Sequence, residues 1–267
     1  MAADPRKTAW HRAGASLGVV GRQFGRAAVQ VGKAAVEAWN AVDPDLLRHA
    51  AQLPLMGLTL LGPSHQPLAP LPADGYRPIL FVHGLGGHRS NFAPMRLWFR
   101  LHGRSRTYAV GFRPELSLDD MAVQLRVAIA EALTDNGLPV EAQVDLVAHS
   151  MGGIIARLAL DDPATAERVA HLVTLGTPHA GTQAARFART PHIRDLRPDS
   201  AIMQRLAAQL PWRGPPLTSL WSHSDLLLLP AFSACVDGAE NVEMAAFTHY
   251  SYLLDVASAR TVFASLR

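Results

Sequence analysis

The sequence contains a single cysteine, Cys235, among its 267 residues. One thiol can form no disulfide within the chain and cannot build a thiolate-cluster metal site. No apolar run reaches the roughly 18 residues that a membrane-spanning helix requires. Charged residues make up only 18% of the chain and hydrophobic residues 49%, which is too apolar for a disordered protein. The composition therefore predicts a globular protein with one large domain or two small ones.

The net charge of +3 comes from the N-terminal quarter of the chain. Residues 1–62 hold seven Lys and Arg against four Asp and Glu, whereas the remaining residues hold equal numbers of each sign. A neutral main body argues against a nucleic-acid partner. The Gly- and Ala-rich segment has apolar positions at helical spacing between Val20 and Trp39, and it predicts a basic helical extension.

Three interpretations of this extension stay open. It packs on the main domain, lies on a membrane surface as a basic helix, or contains a signal peptide in the short apolar run at 13–21. We expect a cytoplasmic protein, with peripheral membrane contact through residues 1–62 and secretion left open as alternatives. The prolines between Pro54 and Pro72 predict an irregular connector with a short strand at 58–61. We place the extension at 1–62, the connector at 63–75 and the main domain at 76–267.

Strand and helix patterns alternate through the main domain. Apolar runs predict strands at 78–82, 107–110 and 144–148, and the segments 171–175, 217–221 and 241–245 are further strand candidates. Helical patterns predict helices at 118–133, 154–160 and 250–266. This alternation predicts an α/β fold with a mainly parallel sheet flanked by helices. Functional sites in such sheets form where loops leave the carboxyl ends of the strands.

Ser150 follows one of these predicted strands and precedes a predicted helix. A nucleophilic serine at a sharp strand-to-helix turn needs small residues two positions before and after it, and these positions are Ala148 and Gly152. We predict that Ser150 is a nucleophile. The alternative is a serine that only caps the helix.

A nucleophilic serine needs N–H donors for the developing oxyanion. The residue after the nucleophile, Met151, is one candidate. The glycine-rich loop at 83–87 follows the first predicted strand of the main domain, and we assign the second donor to Leu85; an ordinary glycine-rich turn is the alternative. The loop and elbow residues expected around the site are His83, Gly84, Gly86, Ala148, His149 and Gly152.

A serine also needs a base, and chain order in such folds runs serine, acid, histidine. His249 is the histidine that follows the last predicted strand and precedes the final helix. Asp225 follows the strand predicted at 217–221 and is our candidate acid, with Asp237 as its competitor. We expect His179 to line the site without titrating in the reaction.

An insert at 182–216 separates two predicted strands. Its residues 199–210 predict one helix capped by Asp199 or Ser200. Its side chains Met203, Leu206 and Trp212 either face a lipid chain or pack onto the domain, and we give the two interpretations equal weight.

Five segments carry a resemblance to a known family: FVHGLGG, DLVAHSMGG, TLGTPHAGT, SHSDLLLLP and FTHYSYLLD. They resemble bacterial lipases and esterases of the α/β-hydrolase superfamily, both the small lipases with an AHSMGG elbow and the lipases similar to GPI inositol-deacylases. The resemblance covers residues 76–267. It implies the α/β-hydrolase fold with a small helical cap at 182–216. It also implies a triad of Ser150, Asp225 and His249, with Leu85 and Met151 as oxyanion donors.

We therefore predict a carboxylic ester hydrolase that forms an acyl-enzyme on Ser150. The expected substrate is a small-molecule or lipid ester, and the predicted chemistry needs neither a metal nor an organic cofactor. The alternatives are an acyltransferase or thioesterase that uses the same triad and, in a different class, a catalytically silent lipid-binding or scaffold protein.

Overall fold

A computed structural model of the chain describes residues 43–59, 69–113, 115–187 and 190–266. The helix predicted between Val20 and Trp39, the run at 13–21 and residues 60–68 of the connector lie outside the described residues. The chain divides into two compact units, Met1–Leu47 and Arg48–Arg267. The sheet and the helices from residue 48 onward belong to the second unit, so residues 48–59 fold with the main domain.

A six-stranded sheet forms the centre of the second unit. Its strands are Ile79–Val82 (β1), Thr107–Val110 (β2), Val144–His149 (β3), Val169–Leu175 (β4), Leu217–Trp221 (β5) and Glu240–Glu243 (β6). Their spatial order is β2-β1-β3-β4-β5-β6, and every neighbouring pair is parallel. The predicted α/β fold with a parallel sheet is confirmed.

Helices follow and precede these strands. In chain order they are Pro44–Thr59 (α1), Ala93–Leu101 (α2), Leu118–Thr134 (α3), Met151–Ala159 (α4), Pro163–Ala166 (α5), Pro191–Arg194 (α6), Ala201–Ala207 (α7), Ser251–Leu254 (α8) and Val256–Ser265 (α9). Short 3-10 turns occupy Arg89–Phe92, Gln183–Phe187 and Ala231–Ala234.

Strand β1 is apolar throughout because helices cover both faces of the sheet. All four residues of β1 are buried. Successive side chains of a strand point to opposite faces, and accordingly Leu80 joins a core with α3 and α4 whereas Phe81 joins a core with α2 and α9. The two cores pack against opposite faces of the sheet and fix the positions of its strand ends.

Three predicted elements differ from the structure. The closing helix is broken into α8 and α9 at Asp255, whose carboxylate accepts the Ala257 N–H at 2.7 Å and so begins a new helix. In the insert, α7 ends at Ala207 and is shorter than the predicted 199–210; its start is capped by Ser200, which accepts the Met203 N–H at 3.1 Å. The strand predicted at 58–61 is wrong at its start, since α1 continues through Pro54 to Thr59. Burial of Met56 on this helix outweighs the local proline signal.

The strand order places a crevice between β1 and β3. From β1 the chain proceeds to β2 on one side of the sheet, and from β3 it proceeds to β4 on the other side. The loops after two such strands diverge, and a ligand site forms between them at the carboxyl ends. The glycine-rich loop at 83–87 and the turn at Ser150 follow these two strands.

A buried ion pair lies at the opposite end of the sheet. Asp145 on β3 is fully buried, and its carboxylate contacts the Arg104 guanidinium at 2.8 Å and that of Arg77 at 3.0 Å. The Arg104 side chain is only 3% exposed, so its charge depends on this carboxylate. Removing one partner of a buried pair leaves an uncompensated charge in the interior.

We therefore expect Asp145→Asn to lower the free energy of unfolding by about 3 kcal/mol. Urea unfolding followed by circular dichroism measures the loss. A matched control is Asp119→Asn, because Asp119 pairs with Arg205 at the surface with half of its side chain exposed. That variant should lose less than about 1 kcal/mol. Equal losses in the two variants would contradict the importance of the buried pair.

Candidate active site

Ser150 occupies a strained turn between β3 and α4. Its backbone angles are φ 55° and ψ −128°, a region that residues with a side chain rarely adopt. Hydrogen bonds hold the turn: the Ser150 N–H donates to Leu175 O at 2.9 Å, and the Thr177 hydroxyl donates to Ser150 O at 2.9 Å. Strain that the surroundings maintain in this way is typical of functional sites.

Small residues allow the surrounding backbone to approach this turn. A Cβ added to Gly152 would lie 2.4 Å from Val82 O, and one added to Gly84 would lie 2.8 Å from the Ser150 Cβ. Ala148 is fully buried on β3. The requirement for small residues therefore comes from direct packing of the loop at 83–87 against the Ser150 turn.

His249 and Asp225 extend a hydrogen-bonded chain from Ser150. The His249 Nε2 lies 2.9 Å from the Ser150 Oγ, and its Nδ1 lies 2.9 Å and 3.1 Å from the two Asp225 carboxylate oxygens. Asp225 is 1% exposed and His249 4% exposed. The competing acid, Asp237, lies at the surface, and its backbone carbonyl accepts the Trp212 N–H instead.

Asp225 is fixed by the loop that follows β5. One carboxylate oxygen accepts the Leu227 N–H at 3.1 Å. On the other side lies Gly176, with φ 53°, where an added Cβ would stand 2.9 Å from the Asp225 Oδ2. The carboxylate therefore has room only because this position has no side chain. Burial and the nearby Asp225 charge raise the pKa of the Tyr252 phenol, which keeps it protonated beside the site.

His149 contacts both the backbone and the ring of His249. The His149 Nε2 donates to the His249 carbonyl at 2.8 Å, and the two ring centres are 4.7 Å apart. Burial, followed by the proximity of His249, lowers the pKa of His149 to about 3. A neutral ring that carries its proton on Nε2 is therefore the state that fits this bond.

The two expected oxyanion donors, Leu85 and Met151, belong to segments that lie next to each other. The Cβ position of Gly84 is 3.2 Å from the Met151 N, which brings the loop next to the first amide of α4. First-turn amides of a helix have no intrahelical acceptor and favour negative charge. The Leu85 N–H has no hydrogen-bond acceptor in the part of the chain that the structure describes.

Local hydrogen bonds shape the loop that carries Leu85. The His83 Nδ1 donates to Gly84 O at 2.9 Å, and the Gly87 N–H donates to the same carbonyl at 3.1 Å. Between them Gly86 takes φ 59°, which favours glycine. Burial is also the main cause of the lowered pKa of His83, so its ring is neutral at pH 7.

A cavity of about 450 Å³ reaches Ser150 and His249. Most of its wall is apolar, with side chains from α1, the 83–87 loop, the insert and the loop that carries Asp225. The side chains that contribute most of this apolar wall are Leu53, Met56, Leu85, Ile193, Leu196, Leu227 and Leu228. Leu53 and Met56 were not expected from the sequence, although their spacing of three on a helix is an amphipathic signal.

The four residues expected in the pocket lie elsewhere. His179 is buried, with its Nε2 2.9 Å from the Thr174 Oγ1, and burial lowers its pKa well below the usual value. Met203 and Leu206 are buried in the core with α3 and α4, and Trp212 packs against that core. The interpretation that these insert residues pack onto the domain is therefore the correct one.

A buried arginine explains why α7 turns its apolar face inward. Arg157 on α4 is 1% exposed, and its guanidinium donates to Leu206 O at 2.7 Å near the end of α7. Its guanidinium carbon also stands 5.5 Å from the centre of the Trp212 ring. These contacts hold α7 against α4 and keep its apolar side chains away from the cavity.

The described residues contain neither a metal-ligand cluster nor a membrane-spanning helix. None of their His, Cys, Asp and Glu side chains form a group of three that could hold a metal ion. Within the same ranges, every helix is too short or too polar to span a bilayer.

Acid should destabilise the fold through His149. The unfolded residue takes up a proton near pH 6.5, whereas the folded one resists protonation down to about pH 3. Its contribution to stability is therefore complete above pH 6.5 and falls, as the pH decreases, by up to about 1.4 kcal/mol per pH unit. Urea unfolding between about pH 7 and pH 5 measures this slope. His149→Gln keeps an N–H donor without titrating, so its slope should be shallower; equal slopes would contradict the assignment.

Parts of the sequence are similar to known proteins. A family model described as a PGAP1-like alpha/beta domain matches residues 115–191. A triacylglycerol lipase of Burkholderia plantarii is 28% identical over 152 residues, which cover 52% of this chain and 40% of that protein. A GPI inositol-deacylase of Cryptococcus neoformans is 62% identical over 37 residues, or 14% of this chain and 5% of that protein. The chain thus spans two fifths or less of the length of these curated relatives.

The fold comparison extends over more of the chain. The mature lipase BlEst2 of Bacillus licheniformis superposes with a TM-score of 0.62 at 18% identity, covering 74% of this chain and 96% of the lipase. The resemblance predicted from the five segments is therefore confirmed. The chain has the α/β-hydrolase fold, and its sequence is similar to those of lipases and esterases of that superfamily.

Proposed function

We propose that this protein is a serine hydrolase that cleaves carboxylic esters. The observation that carries the proposal is the continuous chain of hydrogen bonds from Ser150 through His249 to Asp225 at an apolar cavity. A serine hydroxyl is a weak nucleophile alone and becomes effective beside an oriented base. The similarity to triacylglycerol lipases supports an ester as the substrate.

In the first half-reaction, the Ser150 Oγ attacks the ester carbonyl carbon while the His249 Nε2 takes the hydroxyl proton. The Asp225 carboxylate stabilises the resulting imidazolium. The carbonyl oxygen becomes an oxyanion and accepts hydrogen bonds from the N–H groups of Leu85 and Met151. When the carbonyl re-forms, the bond to the alcohol oxygen breaks, and the alcohol leaves with the proton from His249.

The second half-reaction releases the acid. Water loses a proton to His249 as its oxygen attacks the acyl carbon on Ser150, and the new oxyanion uses the same two donors. Its collapse breaks the bond to the Ser150 Oγ, which recovers its proton from His249. Neither half-reaction of the proposed mechanism requires a metal or an organic cofactor.

The cavity supports a substrate with an apolar acyl group. Aliphatic side chains surround the space beside Ser150, and burying a methylene group there is worth about 0.8 kcal/mol. A small-molecule or lipid ester fits this surface. The relatives named as a triacylglycerol lipase and a GPI inositol-deacylase are consistent with a lipid ester.

Substitution of the acid tests the mechanism. We expect Asp225→Asn to lower kcat for p-nitrophenyl butyrate by about 10³-fold or more, because an amide neither holds the required His249 tautomer nor stabilises the imidazolium. Ser150→Ala gives the inactive reference, and Asp237→Asn, which changes the competing acid, should keep wild-type activity. A fluorophosphonate probe should label the wild type at Ser150. Full activity of Asp225→Asn would contradict the proposed role of this acid. Absence of labelling at Ser150 would contradict the serine hydrolase itself and favour a silent binding protein.

The cavity wall should set the acyl preference. Ala184 lines the cavity on the insert, so Ala184→Phe would fill part of it. We expect kcat/KM for p-nitrophenyl dodecanoate to fall about tenfold, while the value for the acetate changes by less than about twofold. The matched control is Ala207→Phe on the exposed side of α7. A uniform loss over all chain lengths would contradict this use of the cavity.

A further inference from the structure

The part of α1 from residue 48 onward contacts the turn that carries His249. The Gln52 side-chain amide donates to the Ser251 Oγ at 2.9 Å, and its carbonyl oxygen accepts from the Thr248 hydroxyl at 2.6 Å. Thr248 directly precedes His249, and Ser251 follows it by two positions. One side chain therefore spans both ends of the turn.

The turn also has hydrogen bonds of its own. They run from the Thr248 N–H to the Ser251 Oγ at 3.0 Å and from the Ser251 N–H to Thr248 O at 3.0 Å, and the Thr248 and Ser251 hydroxyl oxygens lie 3.1 Å apart. Thr248 is fully buried and Ser251 is 7% exposed, so their hydroxyls are shielded from solvent. Buried hydroxyls need partners, and the Gln52 amide supplies a donor for one and an acceptor for the other.

A second residue of α1 contacts the same turn. The His49 ring lies 5.1 Å from the ring of Tyr250, tilted by 38°. Burial, followed by the proximity of His249, lowers the pKa of His49. The helix therefore contacts residues on both sides of His249 and lies within electrostatic range of its imidazole.

The position of His249 must be accurate because its ring makes two hydrogen bonds at once, one with Ser150 and one with Asp225. Asp225 orients the ring and His149 binds the backbone carbonyl, and both residues follow strands of the sheet or end one. Gln52 supplies the contact from the α1 side. A displacement of about 1 Å of a catalytic group can cost about a hundredfold in rate.

We propose that Gln52 is a positioning residue, which braces the turn at 248–251 so that His249 stays aligned between Ser150 and Asp225. The inference rests on the proposed function, in which His249 is the base. It gives the end of the basic N-terminal extension a role in the reaction that the α/β-hydrolase resemblance does not supply.

The test compares three variants of the full chain. Gln52→Met keeps the length of the side chain but removes both hydrogen bonds. Gln52→Glu keeps oxygen acceptors for the Thr248 and Ser251 hydroxyls, since the Ser251 hydroxyl can rotate to donate. Ala51→Gln alters the adjacent, exposed position of the same helix and is the matched control. Thermal unfolding establishes that each variant is folded.

For p-nitrophenyl butyrate we expect Gln52→Met to lower kcat about tenfold or more with KM changed by less than about twofold. Gln52→Glu should recover part of that loss, and Ala51→Gln should match the wild type. Amide hydrogen exchange of the peptide at 247–254 should accelerate in Gln52→Met and not in the control.

The exchange measurement separates this inference from the proposed function. If the wild type hydrolyses no ester, the proposed function fails, and the exchange rate still reports whether Gln52 holds the turn. An unchanged amide exchange rate of the 247–254 peptide in Gln52→Met would overturn the proposed positioning role of Gln52. Wild-type kcat in a folded Gln52→Met would overturn it equally. A loss that Gln52→Glu shares in full would also overturn it, because the hydrogen bonds would not then be its cause.

Discussion

The left-handed backbone of Ser150 is the constraint on which the rest of the site depends. A residue with a side chain resists φ 55°, so the conformation persists only because β3, α4 and the neighbouring loops determine it together. The close packing leaves space for hydrogen alone at Gly152 and Gly84. In this conformation the serine hydroxyl lies 2.9 Å from the His249 Nε2.

Several histidines near this turn are kept neutral by burial. His149 and His83 lie beneath the crevice and in the loop beside it, and burial lowers both pKa values. Each ring uses a nitrogen to bind a backbone carbonyl, which a neutral imidazole can do at little electrostatic cost. His249 differs from them because its Nδ1 faces a carboxylate, Asp225, which is suited to an imidazole that gains and loses charge.

Sequence patterns predicted the parts of the structure that short-range chemistry determines. β2 was predicted at its observed limits because an apolar run between turn residues leaves little alternative, and the turn at Ser150 was located by its small neighbours. The cavity was not predictable in this way. The apolar face of α7 indicates burial but not the surface that buries it, and Arg157 fixes that surface through a contact made across the fold. The role of Leu53 and Met56 likewise depends on where α1 packs, which the proline signal at Pro54 concealed.

The cavity wall is assembled from segments that are far apart in the chain, whereas the reacting groups follow the ends of β3, β5 and β6. Alterations in α1 or the insert can thus reshape the space for an acyl group while the sheet keeps Ser150, His249 and Asp225 in register. Selectivity and reactivity are separable properties in such a molecule. Substitutions in α1 or the insert would change which ligands the cavity accepts, without renewed selection on the strained turn.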